Sequence, residues 1–165
     1  MKKQRGSASA CRRQDGFTLV ELLVVVAIIG LLSTMAVVSL NGIRERARDT
    51  KRISDIDAIQ KSMELVKSEY GGYDKAGCVA SEAISKCTGG NLETYLPTIK
   101  NINDPLWTTT LCNTAPVCKN GSCNYAFEKF PLAETYTIYF NLEKGVATYA
   151  LPGCYKLTEK GITKL

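Results

Sequence analysis

The chain has 165 residues, 45% hydrophobic and 22% charged, with seven cysteines and no histidine. That bounds it to one modest domain plus a segment outside it, and it excludes histidine-based catalysis. The formal charge is +5, but Lys2, Lys3, Arg5, Arg12 and Arg13 against Asp15 put +4 of it in residues 1–16, leaving +1 for the rest; that is not the balance of a domain that grips nucleic acid by its phosphates.

From Phe17 to Leu40 runs FTLVELLVVVAIIGLLSTMAVVSL, 24 residues whose single charge is Glu21. As a helix this stretch rises roughly 36 Å, enough for a bilayer core. Val24-Val25-Val26 would suit a strand in water, but in lipid the backbone must satisfy its own hydrogen bonds, so a helix is expected. A secretory signal peptide does not fit, because the small-residue stretch Ala8-Ser9-Ala10 and the following Cys11 precede the apolar run instead of following it. Glu21 is the anomaly: a carboxylate inside a lipid-embedded helix costs about 2.5–3.5 kcal/mol on insertion scales and calls for a partner. Since no other residue of the run is charged, the one cation available would be a free amine made by cutting the chain ahead of Phe17.

Gly16-Phe17-Thr18-Leu19-Val20-Glu21, followed by Leu22-Leu23-Val24-Val25-Val26-Ala27-Ile28-Ile29-Gly30, resembles the amino-terminal signature of type IV pilins and pseudopilins. The resemblance implies a leader removed between Gly16 and Phe17 by a prepilin peptidase and N-methylation of Phe17. It also implies pairing of Glu21 with a neighbouring subunit's amine, which would set the register of assembly. Many pilins carry a helix-kinking proline near Val38 and this sequence does not, so Gly30, Gly42 and Ser33-Thr34 are the remaining weak points.

From Asn41 to Tyr70 no proline intervenes, and Ile53, Ile56, Ile59, Met63, Val66 and Tyr70 recur at helical spacing, with Gly71-Gly72 as the stop. A continuous helix from Phe17 to Tyr70 would hold 54 residues and extend about 80 Å. Lys51 with Asp55 and Asp57 with Lys61 stand four apart, each such pair worth tenths of a kcal/mol. Arg44, Arg46, Arg48, Lys51 and Arg52, offset by Glu45 and Asp49, read as a solvated helix face, with anionic headgroups or DNA as the functional alternative. Five basic residues on either side of the apolar run leave its orientation undecided by charge.

The cysteines bear on orientation. With Cys11 in the leader, Cys78, Cys87, Cys112, Cys118, Cys123 and Cys154 remain, separated by eight, 24, five, four and 30 residues. They contain no C-x-x-C and there is no histidine to complete a zinc site, so no metal is expected. Six cysteines in a loop-rich head suggest up to three disulfides and an oxidising, exported side. Six cysteines allow 15 pairings; Cys78 with Cys87 would close a short loop, and Cys154 would staple the C-terminal segment to the Cys112–Cys123 region.

Pro97, Pro105 and the polar run from Asn101 to Asn113 point to an irregular connection, with Trp107 as a local packing anchor. Thr135–Leu142 and Val146–Leu151, joined by Glu143-Lys144-Gly145, read as a hairpin, with Cys123–Glu128 as a third strand laid over the helical stripe. Tyr95-Leu96-Pro97, Asp104-Pro105, Tyr125-Ala126-Phe127 and Tyr136-Thr137-Ile138 with Leu142-Glu143 resemble the order of elements in minimal pilins and in the major pseudopilin of type II secretion. Some of those pseudopilins bind calcium through an acidic C-terminal loop; after Leu151 this sequence offers Glu159 alone, so no calcium site is expected. Asn120-Gly121-Ser122 fits a glycosylation acceptor and stays a note.

The expected fold is α+β and pilin-like, a long N-terminal helix against a small antiparallel sheet. The segments are a cleaved basic leader (1–16), a membrane and filament-core helix (17–40), its amphipathic continuation (41–72) and a disulfide-stabilised β head (73–165). No phosphate loop, paired carboxylates or nucleophile with a base stands out, so neither enzyme activity nor a cofactor is expected. The leading expectation is a structural subunit of a type IV pilus or related filament. It would be held in the cytoplasmic membrane with its head exported, then polymerise with copies of itself on a membrane assembly platform after processing by the prepilin peptidase and methyltransferase. The alternatives are a type II secretion pseudopilin, in a periplasmic pseudopilus, and a DNA-uptake (competence) pseudopilin, with DNA contact less favoured. A third class, a domain merely tethered by its helix, would leave Glu21 unexplained.

Overall fold

The computed structural model describes residues 16–106, 109–121, 123–129 and 131–165, apart from the side chains of residues 38 and 39. Residues 1–15 of the expected leader, with Ala8-Ser9-Ala10 and Cys11, lie outside that set, as do Trp107 and Ser122 of the acceptor pattern. The chain divides into two units, one ending at Ser39 and one comprising Leu40–Leu165.

Helix α1 (Leu19–Tyr70) contributes to both units and is 52 residues long. Its described side chains in the first unit are exposed, including Leu19, Leu23, Ile28, Leu32 and Val37. Polar groups there are satisfied within the helix: the Ser33 hydroxyl donates to the Ile29 carbonyl (2.7 Å) and the Thr34 hydroxyl to that of Leu31 (2.8 Å). The expected weak points therefore do not interrupt the helix. The segment is long and apolar enough to cross a membrane.

In the second unit α1 ends where Gly71 takes a positive φ of 83° and donates its N–H to the Lys67 carbonyl. Three 3₁₀ turns and two short helices, α2 (Asn91–Tyr95) and α3 (Ala115–Lys119), lead to a four-stranded antiparallel meander. Its strands are β1 (Ala126–Phe127), β2 (Thr137–Leu142), β3 (Gly153–Thr158) and β4 (Gly161–Lys164), in that spatial order. Alternation along the strands gives the sheet two working faces. Ile138, Phe140, Leu142, Tyr155 and Leu157 join Ile56, Ile59, Met63 and Val66 of α1 in the main core. Tyr139 and Cys154 instead meet Cys112, Cys118 and Cys123 in a second, smaller cluster. The fold is α+β and pilin-like, as the sequence suggests.

The strand assignment is corrected. Val146–Leu151 is no strand: Val146 and Tyr149 exchange backbone hydrogen bonds across a tight turn (2.9 and 2.8 Å), and the partner of β2 is Gly153–Thr158. Gly145 has φ +80°, and a Cβ there would collide with the Tyr149 carbonyl, so the chain turns away from a hairpin directly after β2. The expected third strand shrinks to β1, and the C-terminal hairpin β3–β4 has no counterpart among the expected elements. Tyr70, placed on the stripe, is exposed, because the helix ends there; Tyr73 takes the buried position instead.

Candidate functional site

At the N-terminus Gly16 and Phe17 precede the helix, and Phe17 is 85% exposed. Glu21 lies in the first turn of α1. One of its carboxylate oxygens accepts both the Thr18 backbone N–H (2.9 Å) and the Thr18 hydroxyl (2.7 Å), while the Thr18 hydroxyl oxygen accepts the Glu21 N–H (3.2 Å). This reciprocal pair is a capping box, in which the threonine and the acid three residues later satisfy N–H groups that the helix start leaves free. Sequence reasoning looked for a cation beside Glu21 and missed this neutral partner, although Thr-x-x-Glu at a helix start is its signature. Glu21 thus has a local role, and among the described residues only one of its two oxygens is engaged.

The basic segment after the apolar run is corrected more strongly. Arg52 is 1% exposed, with Asp49 and Asp104 equally enclosed. Its guanidinium forks onto Asp104 (2.7 and 3.0 Å) and also donates to Asp49 (2.7 Å) and Glu143 (2.6 Å). Arg48 forks onto Glu143 as well. Asp49 in turn accepts the backbone N–H groups of Glu143, Lys144 and Gly145 at 2.8–2.9 Å, an anion held in a nest of successive amides. Burial works against the Arg52 charge, but the Asp104 hydrogen bonds and charge outweigh it and raise its pKa. The Arg48 hydrogen bond, reinforced by Arg52, holds the Glu143 carboxyl below its ordinary range. Arg48 and Arg52 therefore belong to an internal ion cluster joining α1 to the segment at Asp104 and to the β2–β3 loop. Arg44, Arg46 and Lys51 remain on the surface, Lys51 paired with Asp55 at 2.8 Å.

The six head cysteines form three bridges. Cys78 pairs with Cys87, Cys112 with Cys123 and Cys118 with Cys154, with Cα separations of 4.5, 5.1 and 5.4 Å. The first lies in the main core, and the other two share the cluster on the opposite face of the sheet. The Cys118–Cys154 bridge ties α3 to β3, so that strand is held covalently to the irregular region before the sheet.

The family model for the prokaryotic N-terminal methylation motif matches residues 11–37. The chain is 40% identical over 62 residues to the type II secretion system core protein G of Aeromonas hydrophila, a stretch covering 38% of this chain and 43% of that one. The core protein G of Dickeya chrysanthemi is also 40% identical over 62 residues, 38% and 40% of the two chains. That of Vibrio cholerae serotype O1 is 32% identical over 84 residues, 51% and 58%. The chain thus spans between two and three fifths of the length of these curated relatives. No solved structure matches it. The chain thus carries the prokaryotic N-terminal methylation motif, and that motif, the exposed apolar helix that follows it, the small antiparallel head and these relatives make it similar to the type IV pilins and pseudopilins.

Proposed function

We propose that this protein is a structural subunit of a pseudopilus of the type II secretion kind, without catalytic activity of its own. The observation that carries the reading is the apolar helix behind the methylation motif. Every apolar side chain described from Phe17 to Val37 is exposed in the single chain, a surface that needs lipid or other copies of itself to cover it. Between the pilus and the secretion pseudopilus, the relatives favour the second: those named above are type II secretion system core proteins G. The pilus, which the sequence put first, becomes the second reading.

In this account the chain waits in the cytoplasmic membrane with its disulfide-bonded head on the exported side. A prepilin peptidase cuts between Gly16 and Phe17, Phe17 is methylated, and an assembly platform adds the subunit to a periplasmic homo-oligomeric filament. Glu21 keeps one oxygen on Thr18 and offers the other to the incoming amine, where exclusion of water strengthens the contact. The test is to delete the gene in its host, restore it in complementing strains, and compare export of secreted proteins with surface fibres. Loss of export with fibres unaffected is the expected result; loss of long surface fibres with export intact would establish the pilus reading instead. The intact mass from membranes should begin at Phe17 with one added methyl, and a mass retaining Met1–Gly16 would overturn the processing step.

A further inference from the structure

The two disulfides on the outer face of the sheet are not independent. The Sγ atoms of Cys112, Cys118 and Cys123 all lie within 4.8 Å of one another. Cys112 and Cys123 are bonded to each other, and Cys118 is bonded to Cys154. All four residues are buried and cluster with Tyr139. Cys118 thus stands beside a disulfide that is not its own, while Cys78–Cys87 lies in a separate cluster.

We propose that these four cysteines form a single exchange-competent cluster in which Cys118 is the shared sulfur, so that the position of Cys154 on β3 decides the pairing. A thiolate at Cys118 attacks one sulfur of the Cys112–Cys123 bridge. A new S–S bond forms to the attacked sulfur, the old one breaks, and the other cysteine leaves as a thiolate that takes up a proton; nothing is oxidised or reduced overall. The Cys118 thiolate arises when a dithiol reductant opens Cys118–Cys154, giving up two electrons and becoming a disulfide itself. In the reverse direction, Cys154 attacks a Cys118–Cys112 or Cys118–Cys123 bridge, takes Cys118, and leaves Cys112 and Cys123 as a dithiol for an external disulfide to oxidise.

Register supplies the direction. Cys154 stands opposite Asn141 in the β2–β3 ladder, and Asn141 donates from its amide to the Cys118 carbonyl at 3.0 Å. Cys154 therefore reaches Cys118 only when β3 is paired correctly. Pairings made among the three earlier cysteines before β3 docks are corrected once it does. The Cys118–Cys154 bridge is in this sense a record of a completed sheet.

The experiment uses the full chain in detergent in a Cys11→Ser background, which leaves the six head cysteines. Cys154→Ser is added, the protein is held without reductant at pH 8 for hours, quenched with acid, alkylated, and its peptides mapped by mass spectrometry. The expected result is alkylation spread over Cys112, Cys118 and Cys123, with bridges from Cys118 to the other two, and less label on Cys118 than on the others combined. Label confined to Cys118 with Cys112–Cys123 intact would overturn the proposal. Because this variant could misfold, the chain with Cys154 intact is also opened partially with dithiothreitol and quenched. Species in which Cys118 has moved to Cys112 or Cys123 are expected among those that have lost one bridge. Native bridges alone at every stage, or scrambling that draws in Cys78 or Cys87, would overturn the idea, the latter because exchange would then belong to an unfolded chain.

Discussion

Two stretches of one helix obey opposite rules. Up to Val37, α1 turns its leucines, valines and isoleucines outward, and the Ser33 and Thr34 hydroxyls bond back to its own backbone. After Leu40 it buries Ile56, Ile59, Met63 and Val66 against the sheet and sends charged groups across to other segments. The first pattern suits a surround that offers no hydrogen bonds, and the second suits water. Helix propensity does not distinguish the two; the position of the apolar residues does.

The largest break in this comparison should come from the ion cluster. Arg52→Ala leaves Asp49 and Asp104 buried without their cation, and we expect a loss of about 3–5 kcal/mol in urea unfolding of the full chain in detergent. An unchanged midpoint would mean that the cluster does not hold the head together. Next comes a paired test of the two stretches. Ile59→Ala should cost about 2–5 kcal/mol as a core deletion, whereas Leu32→Ala, at a side chain 60% exposed, should stay within about 0.5 kcal/mol. Equal losses would erase the distinction. At the helix start, Thr18→Val removes half of the capping box, and fraying of the first turn worth about 1 kcal/mol should appear as faster amide exchange at residues 19–21.

Acid should act through Glu143. Its carboxyl is held below the ordinary 4.5 by the Arg48 hydrogen bond and then by Arg52. A depressed folded pKa stabilises above the unfolded value and ceases to do so as pH falls through the folded one. The melting temperature should therefore drop on acidification below about 4.5, and Glu143→Gln should flatten that part of the profile. The smallest effect concerns Tyr136, whose buried hydroxyl has no hydrogen-bond partner among the described residues. Tyr136→Phe should be neutral or slightly stabilising in the same unfolding assay, since it removes a desolvated group that bonds to nothing. A loss above about 1 kcal/mol would reveal a partner for that hydroxyl.

The long apolar helix is legible because 24 nearly uncharged residues leave few alternatives. The stripe was legible as well, but its reading stopped too soon. Asp49, Arg52, Ile56, Ile59, Met63 and Val66 follow one another at steps of three and four, so the buried face begins with two opposite charges. Read as composition, that segment is basic; read as register, it is the start of the core. Asp104 and Glu143, which complete the cluster, are far away in sequence and carried no local signal. The hairpin was misplaced because β-branched and aromatic residues at Val146–Leu151 outweighed Gly145, whereas the backbone amides drawn to Asp49 decide the turn. The partner of β2 was hidden in Cys154–Thr158, where a cysteine and a lysine dilute the strand pattern.

The grip of Asp49 on three successive amides has an evolutionary corollary. What it recognises is backbone, so Lys144 could drift to almost any residue without loosening the loop, whereas an insertion or deletion between Leu142 and Gly145 would shift every amide off its oxygen. Among homologues of this chain, the length of that loop should therefore vary less than its spelling, and position 49 should tolerate neither the longer reach of glutamate nor the neutral head of asparagine.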